Sequence, residues 1–307
     1  MRYVHQVREA CLPIPPFSRR FPELRDDTWR LLCMRRKAYA FLLCFLDFMV
    51  AVGASSGVML LLKGRVPDWL GLSAGTAVLI VLYLLGNYWI ERRKPVELHT
   101  CHALQHISTG LAIGIVSFAS VIGILSISGA YRFLGLNSPR PVAPGLLLAL
   151  VAAIFEEIAF RGFLFRLFAG VGGNWAAIVL TAALFGLSHN ANSHATLASS
   201  GAVAVEAGIL LGAAYAASGS LWLPIGIHAG WNFAEGSIFG MAVSGNNLST
   251  GFLTGRLRGP TILTGGSFGP EASLVAVAVC CIPAMVYLRK MRKAETQVSL
   301  FQPALAS

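Results

Sequence analysis

An all-α bundle of membrane-crossing helices is the fold class this sequence predicts, and three observations predict it. Of its 307 residues 55% are apolar and only 12% carry charge, about half the charged share of a water-soluble domain. The apolar residues fall in long runs, without the strict two-residue alternation of barrel strands. The basic residues, 24 Lys and Arg against 14 Asp and Glu for a net charge of +10, gather in alternate connections between those runs. An ordinary soluble enzyme, a disordered chain and a disulfide scaffold are excluded together.

Runs long enough to cross a hydrocarbon core of about 30 Å fall near residues 38–62, 70–90, 104–130, 143–168, 174–191, 196–217, 220–242 and 270–288, about eight spans. Backbone groups in lipid must pair within their own segment, so each span is expected to be a helix. With the amino terminus inside, eighteen Lys and Arg lie on the inner side, nine of them before residue 38. Six lie outside: Lys63, Arg65, Arg132, Arg140, Arg256 and Arg258. That bias places both termini in the cytoplasm, and an even span count requires the two ends to share one side. The surplus positive charge reads as anchoring to the lipid bilayer of a cell (inner) membrane, and no nucleic-acid partner is expected.

Three parts follow: a basic cytoplasmic or interfacial segment over 1–37, a membrane domain over 38–288, and a basic cytoplasmic tail over 289–307. Residues 21–37, with Trp29, Leu31 and Leu32 among arginines, read as an interfacial helix running into the first span. The stretch 244–269, rich in Gly, Ser, Asn and Thr, reads as a long structureless and mobile connection.

An ionisable side chain at mid-bilayer costs about 2.5–3.5 kcal/mol on insertion scales, so each one demands a reason. The spans contain Asp47, Glu156, Glu157, Glu206 and Glu235, and His106, His189, His194 and His228 are associated with them. Most lie between residues 156 and 235, where function is to be sought. The run Glu156-Glu157-Ile158-Ala159-Phe160-Arg161-Gly162 sets two carboxylates and an arginine in an apolar helix. Glu157 and Arg161, four apart, share a face and neutralise each other. Glu156 is turned by about 100° and keeps a carboxylate without a local partner.

The next span carries Phe185-Gly186-Leu187-Ser188-His189, joined to the fourth by the short connection 170–174. Counted from that turn, Glu156 is about sixteen residues back and His189 about seventeen forward, nearly equal depths at about 1.5 Å per residue. The seventh span adds His228-Ala229-Gly230-Trp231-Asn232, an imidazole and an amide four apart on one face. A carboxylate beside a histidine is suited to take a proton from water. Fixed donors can then hold the oxyanion formed when that water attacks a carbonyl.

EExxxRG at 156–162, FxxxH at 185–189 and HxxxN at 228–232, with Ser220-Leu221-Trp222-Leu223-Pro224-Ile225 leading into the last, resemble the CAAX protease and bacteriocin-processing family of glutamic intramembrane endopeptidases. The resemblance spans roughly residues 143–245. It implies that Glu156 activates water with help from His189, that His228 and Asn232 form an oxyanion hole, and that Glu157 and Arg161 support them. It also implies a peptide hydrolase without a metal or other cofactor, acting on a membrane-associated protein or peptide. Eukaryotic members trim the three residues after a prenylated cysteine, whereas many bacterial relatives process other peptides or are associated with bacteriocin immunity.

Other readings of the same residues stay open. Glu156, His189 and His228 form an acceptable catalytic zinc set. A polar cleft can bind a peptide and confer immunity without catalysis, and buried acids and imidazoles also build proton relays. Glu235, three residues beyond Asn232, either orients His228 or reaches the outer interface. Glu206, near Gly208 and Gly212, reads as a structural carboxylate facing the bundle, and Asp47 matches no motif. His99, Cys101, His102 and His106 read as a solvated group at the mouth of a span, and His194 as a loop residue. GxSxG occurs at 53–57 and 265–269 without a preceding strand, and HExxH is absent.

Overall fold

The computed structural model describes residues 26–246 and 251–301, and its helices follow the apolar runs. Helix α1 (Asp26–Leu62) and α2 (Asp68–Trp89) form a hairpin that turns at Gly64, where φ is 74°, a value glycine adopts without strain. The expected interfacial helix over 21–37 lies outside the residues whose side chains are described. Helix α3 (Ala103–Ile127) leads to strand β1 (Tyr131–Leu136). Helix α4 (Val142–Glu157) then continues through a π-helical stretch, Ile158–Phe165, into α5 (Arg166–Ser188). Helix α6 (Leu197–Val203) passes through a second π-helical stretch, Ala204–Ile209, into α7 (Leu210–Ser218). Helix α8 (Trp222–Asn232) ends in a third, Phe233–Ile238. Strand β2 (Leu253–Leu257), the short α9 (Thr261–Thr264) and α10 (Leu274–Phe301) complete the order.

The all-α membrane bundle is the observed fold. Six helices are long and apolar enough to cross a membrane, against about eight expected spans. The fourth and fifth spans form one 50-residue run, Val142–Ala191, broken only at Gly173 (φ 75°, ψ −179°). The seventh is the short helix over 222–238, all but enclosed by its neighbours.

The stretch 244–269 differs from its expectation. It holds β2, which pairs antiparallel with β1 from Tyr131↔Leu257 to Leu136↔Leu253. It is tied further by Arg258 N–H to Ala130 O and Gly245 N–H to Phe268 O. Phe268 packs with Phe185 and Val203. A composition of Gly, Ser and Thr has no helical period, but here its backbone donors find sheet and turn partners.

Helix α8 is fixed by close approach to α3. A Cβ on Gly110 or Gly114 would strike the backbone of residues 223–231, and one on Gly226 or Gly230 would strike residues 107–111. Two interleaved GxxxG pairs thus bring the backbones into contact, which sets the depth of His228 and Asn232.

Candidate active site

Three helices converge on Glu156. It lies at the end of α4, just before the chain widens into its π-helical stretch, while His189 sits where α5 stops and His228 lies on α8. The Nε2 atoms of His189 and His228 stand 3.9 and 4.0 Å from the same oxygen, Oε2 of Glu156. These separations are too long for direct hydrogen bonds. A water about 2.8 Å from Oε2 and from one Nε2 would nevertheless bridge either pair. Oε2 is buried and has no hydrogen-bond partner among the described residues. The Glu156 side chain keeps 29% of its exposure while that of Glu157 keeps none.

The outer faces of both imidazoles are committed. Nδ1 of His189 lies 2.8 Å from the Phe185 carbonyl, which can only accept, so Nδ1 carries a proton and Nε2 turns toward Glu156. Nδ1 of His228 donates to Glu157 Oε1 at 3.0 Å. The same oxygen accepts from Arg161 Nη1 at 2.8 Å, and Arg161 Nη2 donates to Gly208 O at 3.1 Å. The expected ion pair between Glu157 and Arg161 is therefore one arm of a longer chain ending on His228.

Phe185 explains its place in the motif. Its ring lies 4.8 Å from the His189 ring, 5.9 Å from that of His228 and 4.8 Å from Arg161 Cζ. One aromatic side chain, four residues before His189, spaces both imidazoles.

Asn232 lines a cavity together with His189 and His228. Its free volume, ≈ 30 Å³, exceeds the need of one water. Glu206, Ser244, Glu271 and Cys280 line it too. Glu206 therefore does more than face the bundle. Its π-helical stretch, and its place beside Glu271 and Cys280, turn it to this cavity.

Glu235 takes neither place expected of it. It is fully buried, so it does not reach an interface, and the Nδ1 of His228 is held by Glu157. Trp231 Nε1 donates to Glu235 Oε2 at 3.1 Å, and Oε1 has no hydrogen-bond partner among the described residues. The cause is the π-helical turn from Phe233, which adds a residue to the turn and swings Glu235 off the His228 face. Glu271, missed by the sequence reading, lies beside Glu235 in the short turn Pro270–Ala272. No motif marks it; its one signal is an acid at the edge of the last apolar run.

A second charged group braces the far side of the π-helical stretch Ile158–Phe165. Arg93 clamps Glu97 with Nη1 at 2.9 Å and Nη2 at 2.7 Å, and its Nε reaches Glu91 at 2.8 Å. Arg166 pairs with Glu91 and donates to Gly162 O at 3.0 Å, while the Tyr83 hydroxyl bonds Glu97. Burial alone would raise the Glu97 carboxyl, but the Arg93 hydrogen bonds and the Arg166 charge hold it below its ordinary value. The spacing Arg93–Glu97 was visible in the sequence, but a charged connection offers no sign of burial.

The remaining candidates lie apart from the site. Asp47 packs on Gly86 of α2. His99, Cys101 and His102 are exposed, as is His194. Among the described residues no three His, Cys, Asp or Glu side chains converge as a metal site.

Fold and site together define a polytopic membrane protein with an internal carboxylate and imidazole centre. Residues 138–234 match the model of the family described as Rce1-like, type II CAAX prenyl endopeptidase. The segment that carries all three motifs is thus similar to the CAAX protease family, which is a family of proteases. The match leaves out α1 to α3, Glu235 and Glu271. Comparisons with curated proteins and with solved structures gave no match.

Proposed function

We propose that this protein is an intramembrane endopeptidase of the glutamic type, acting on a membrane-associated protein or peptide. A water between Glu156 Oε2 and His189 Nε2 donates one hydrogen to each and turns its lone pair to the substrate carbonyl. Attack breaks the water O–H bond, sends that proton to Glu156 and forms the C–O bond. The oxyanion accepts hydrogen bonds from Asn232 and from His228 Nε2. Collapse breaks the C–N bond, and the proton held by Glu156 passes to the leaving amine.

For His228 to donate from Nε2 while Nδ1 donates to Glu157, its ring must carry both protons. The charges then balance: Glu156 and Glu157 against Arg161 and the His228 imidazolium. The observation that carries this reading is the pair of Nε2 atoms 3.9 and 4.0 Å from one unpartnered carboxylate oxygen. The sided distribution of Lys and Arg supports an inner-membrane protein with cytoplasmic termini.

Membrane peptides from cells carrying the wild type are compared with those from cells carrying Glu156→Gln or His189→Ala at equal protein levels. At least one peptide is shortened in the wild type and intact in both variants. Undiminished processing in either variant would refute the assignment.

A zinc-dependent protease is the second reading. One observation favours it: both imidazoles hold their Nδ1 in hydrogen bonds and turn Nε2 toward one carboxylate, the outer-sphere pattern of zinc ligands. The separations near 4 Å are wider than ligands sharing one zinc at about 2.0–2.2 Å require. Chelation followed by zinc addition discriminates the two, since only the zinc enzyme loses and regains activity.

A further inference from the structure

The ribbon of β1 and β2 joins two stretches of chain that carry no acid. Between Glu97 and Glu156, and again between Glu235 and Glu271, there is no Asp or Glu, yet Arg132, Arg140, Arg256 and Arg258 lie there. These are four of the six Lys and Arg on the less basic side. Pairing of the strands sets Arg132 directly opposite Arg256, and the Arg258 N–H to Ala130 O bond carries the ladder one residue further. Arg258, two residues from Arg256, therefore shares its face. All three side chains are exposed, and none makes an ion pair among the described residues. Like charges set directly opposite destabilise a strand pair, so this face lacks a counter-charge.

The ribbon cannot turn to hide it. Tyr131, buried in the core with Leu257 packed beside it, lies across Gly255, where a Cβ would strike its ring. At the other end Asn137 Nδ2 donates to Gly251 O at 2.8 Å and to Thr254 Oγ1 at 2.7 Å. Position then names the class of partner. Strand β1 begins just after Ile127, where the membrane-crossing α3 ends, and Arg140 lies just before Val142, where the next crossing run begins. The ribbon thus stands where the chain leaves the hydrocarbon. Phe133, Leu134 and Leu136 of the same strand are each more than half exposed. Apolar side chains beside guanidinium groups at that level match acyl chains and phosphates together, and a guanidinium forks onto phosphate oxygens with two parallel hydrogen bonds. An added peptide strand fits less well, because the bulge between Phe133 and Gly135 interrupts β1.

We propose that the ribbon face bearing Arg132, Arg256 and Arg258 is a docking surface for anionic phospholipid headgroups, with Phe133, Leu134 and Leu136 set among the acyl chains. The proposal needs the membrane-crossing helices and is independent of the chemistry at Glu156. A phosphatidylglycerol headgroup brings the missing negative charge. Phosphatidylcholine brings a phosphate too, but its trimethylammonium adds a cation to a face that already has three.

Local cross-linking of the full chain in phosphatidylcholine liposomes tests it. Phosphatidylglycerol or phosphatidylcholine with a diazirine near its glycerol backbone is mixed in, and the adducts are mapped by mass spectrometry. In the wild type, residues 131–140 and 253–258 take phosphatidylglycerol over phosphatidylcholine by at least about fivefold. The ratio falls to near unity in Arg132→Gln/Arg256→Gln/Arg258→Gln, falls partway in Arg256→Gln, and is kept in Arg132→Lys/Arg256→Lys/Arg258→Lys and in Lys63→Gln/Arg65→Gln. A wild-type ratio near unity overturns the proposal. So does a ratio that survives the three glutamines, or one that falls as far when Lys63 and Arg65 are replaced. Two further arms separate other anions. Inorganic phosphate that abolishes the preference, where chloride at the same ionic strength does not, would mark a free-anion site and overturn the lipid assignment. Hexaglutamate that protects the ribbon amides from hydrogen exchange in phosphatidylcholine liposomes would mark a surface for an acidic peptide and overturn it as well.

Discussion

Glu97, buried, and Glu91, partly buried, sit beside two arginines; Glu206, Glu235 and Glu271 are buried and pair with no Lys or Arg among the described residues. In the first group every carboxylate is clamped, and the clamp ties the connection after α2 to the helix that bears Glu156. In the second, the counter-charge has to come from protons or from a ligand. Paired charge fixes geometry, and unpaired charge marks a place kept open. Glu156 and Glu157 repeat the contrast at one step along the chain. Glu157 is spent on Arg161 and His228, which leaves Glu156 available for chemistry.

The largest effect on stability is expected from breaking the paired cluster. Arg93→Ala leaves buried Glu97 with only the Tyr83 hydroxyl and the more distant Arg166 and should lower unfolding stability by about 3 kcal/mol, measured by denaturant titration in micelles. A loss under about 1 kcal/mol would mean the clamp does not brace the fold. A smaller loss, about 1–3 kcal/mol, is expected of Gly230→Val, because its side chain forces α8 from α3; unchanged stability would contradict the close crossing.

Acid sharpens the comparison. Glu97 is held below its ordinary value of 4.5, so the stability it contributes is present above pH 4.5 and lost as pH falls toward its folded value. Between neutral pH and the acid side of 4.5 the wild type should lose more stability than Glu97→Gln, which lacks that carboxylate. Equal acid sensitivity of the two proteins would remove Glu97 from the account. The smallest effect belongs to Glu235→Gln, which removes an unmatched acid while keeping an acceptor for Trp231. Its unfolding stability should stay within about 1 kcal/mol of the wild type or rise, and a large fall in denaturant titration would show that Glu235 is paired after all.

Much of this arrangement was legible before any coordinates. Charge scarcity and apolar runs gave the bundle, and helical spacing gave the Glu157–Arg161 pair and the near-equal depth of Glu156 and His189. What escaped were features without a regular period. Three π-helical stretches shift the phase of their helices, so Glu206 and Glu235 point where a 3.6-residue count does not send them. Glu271 and the strand Leu253–Leu257 lie in a stretch whose partners are distant in sequence. Glycines 110, 114, 226 and 230 carried a readable GxxxG signal, but only the partner helix reveals its use.

The central claim is that one water stands between an acid and an imidazole, primed for attack. A cryo-electron microscopy map of the protein in lipid, at a resolution that shows ordered water, tests it directly. The account predicts density about 2.6–3.2 Å from both Glu156 Oε2 and His189 Nε2. A direct contact between the two side chains with no room for water, or a metal bonded to both, would contradict it.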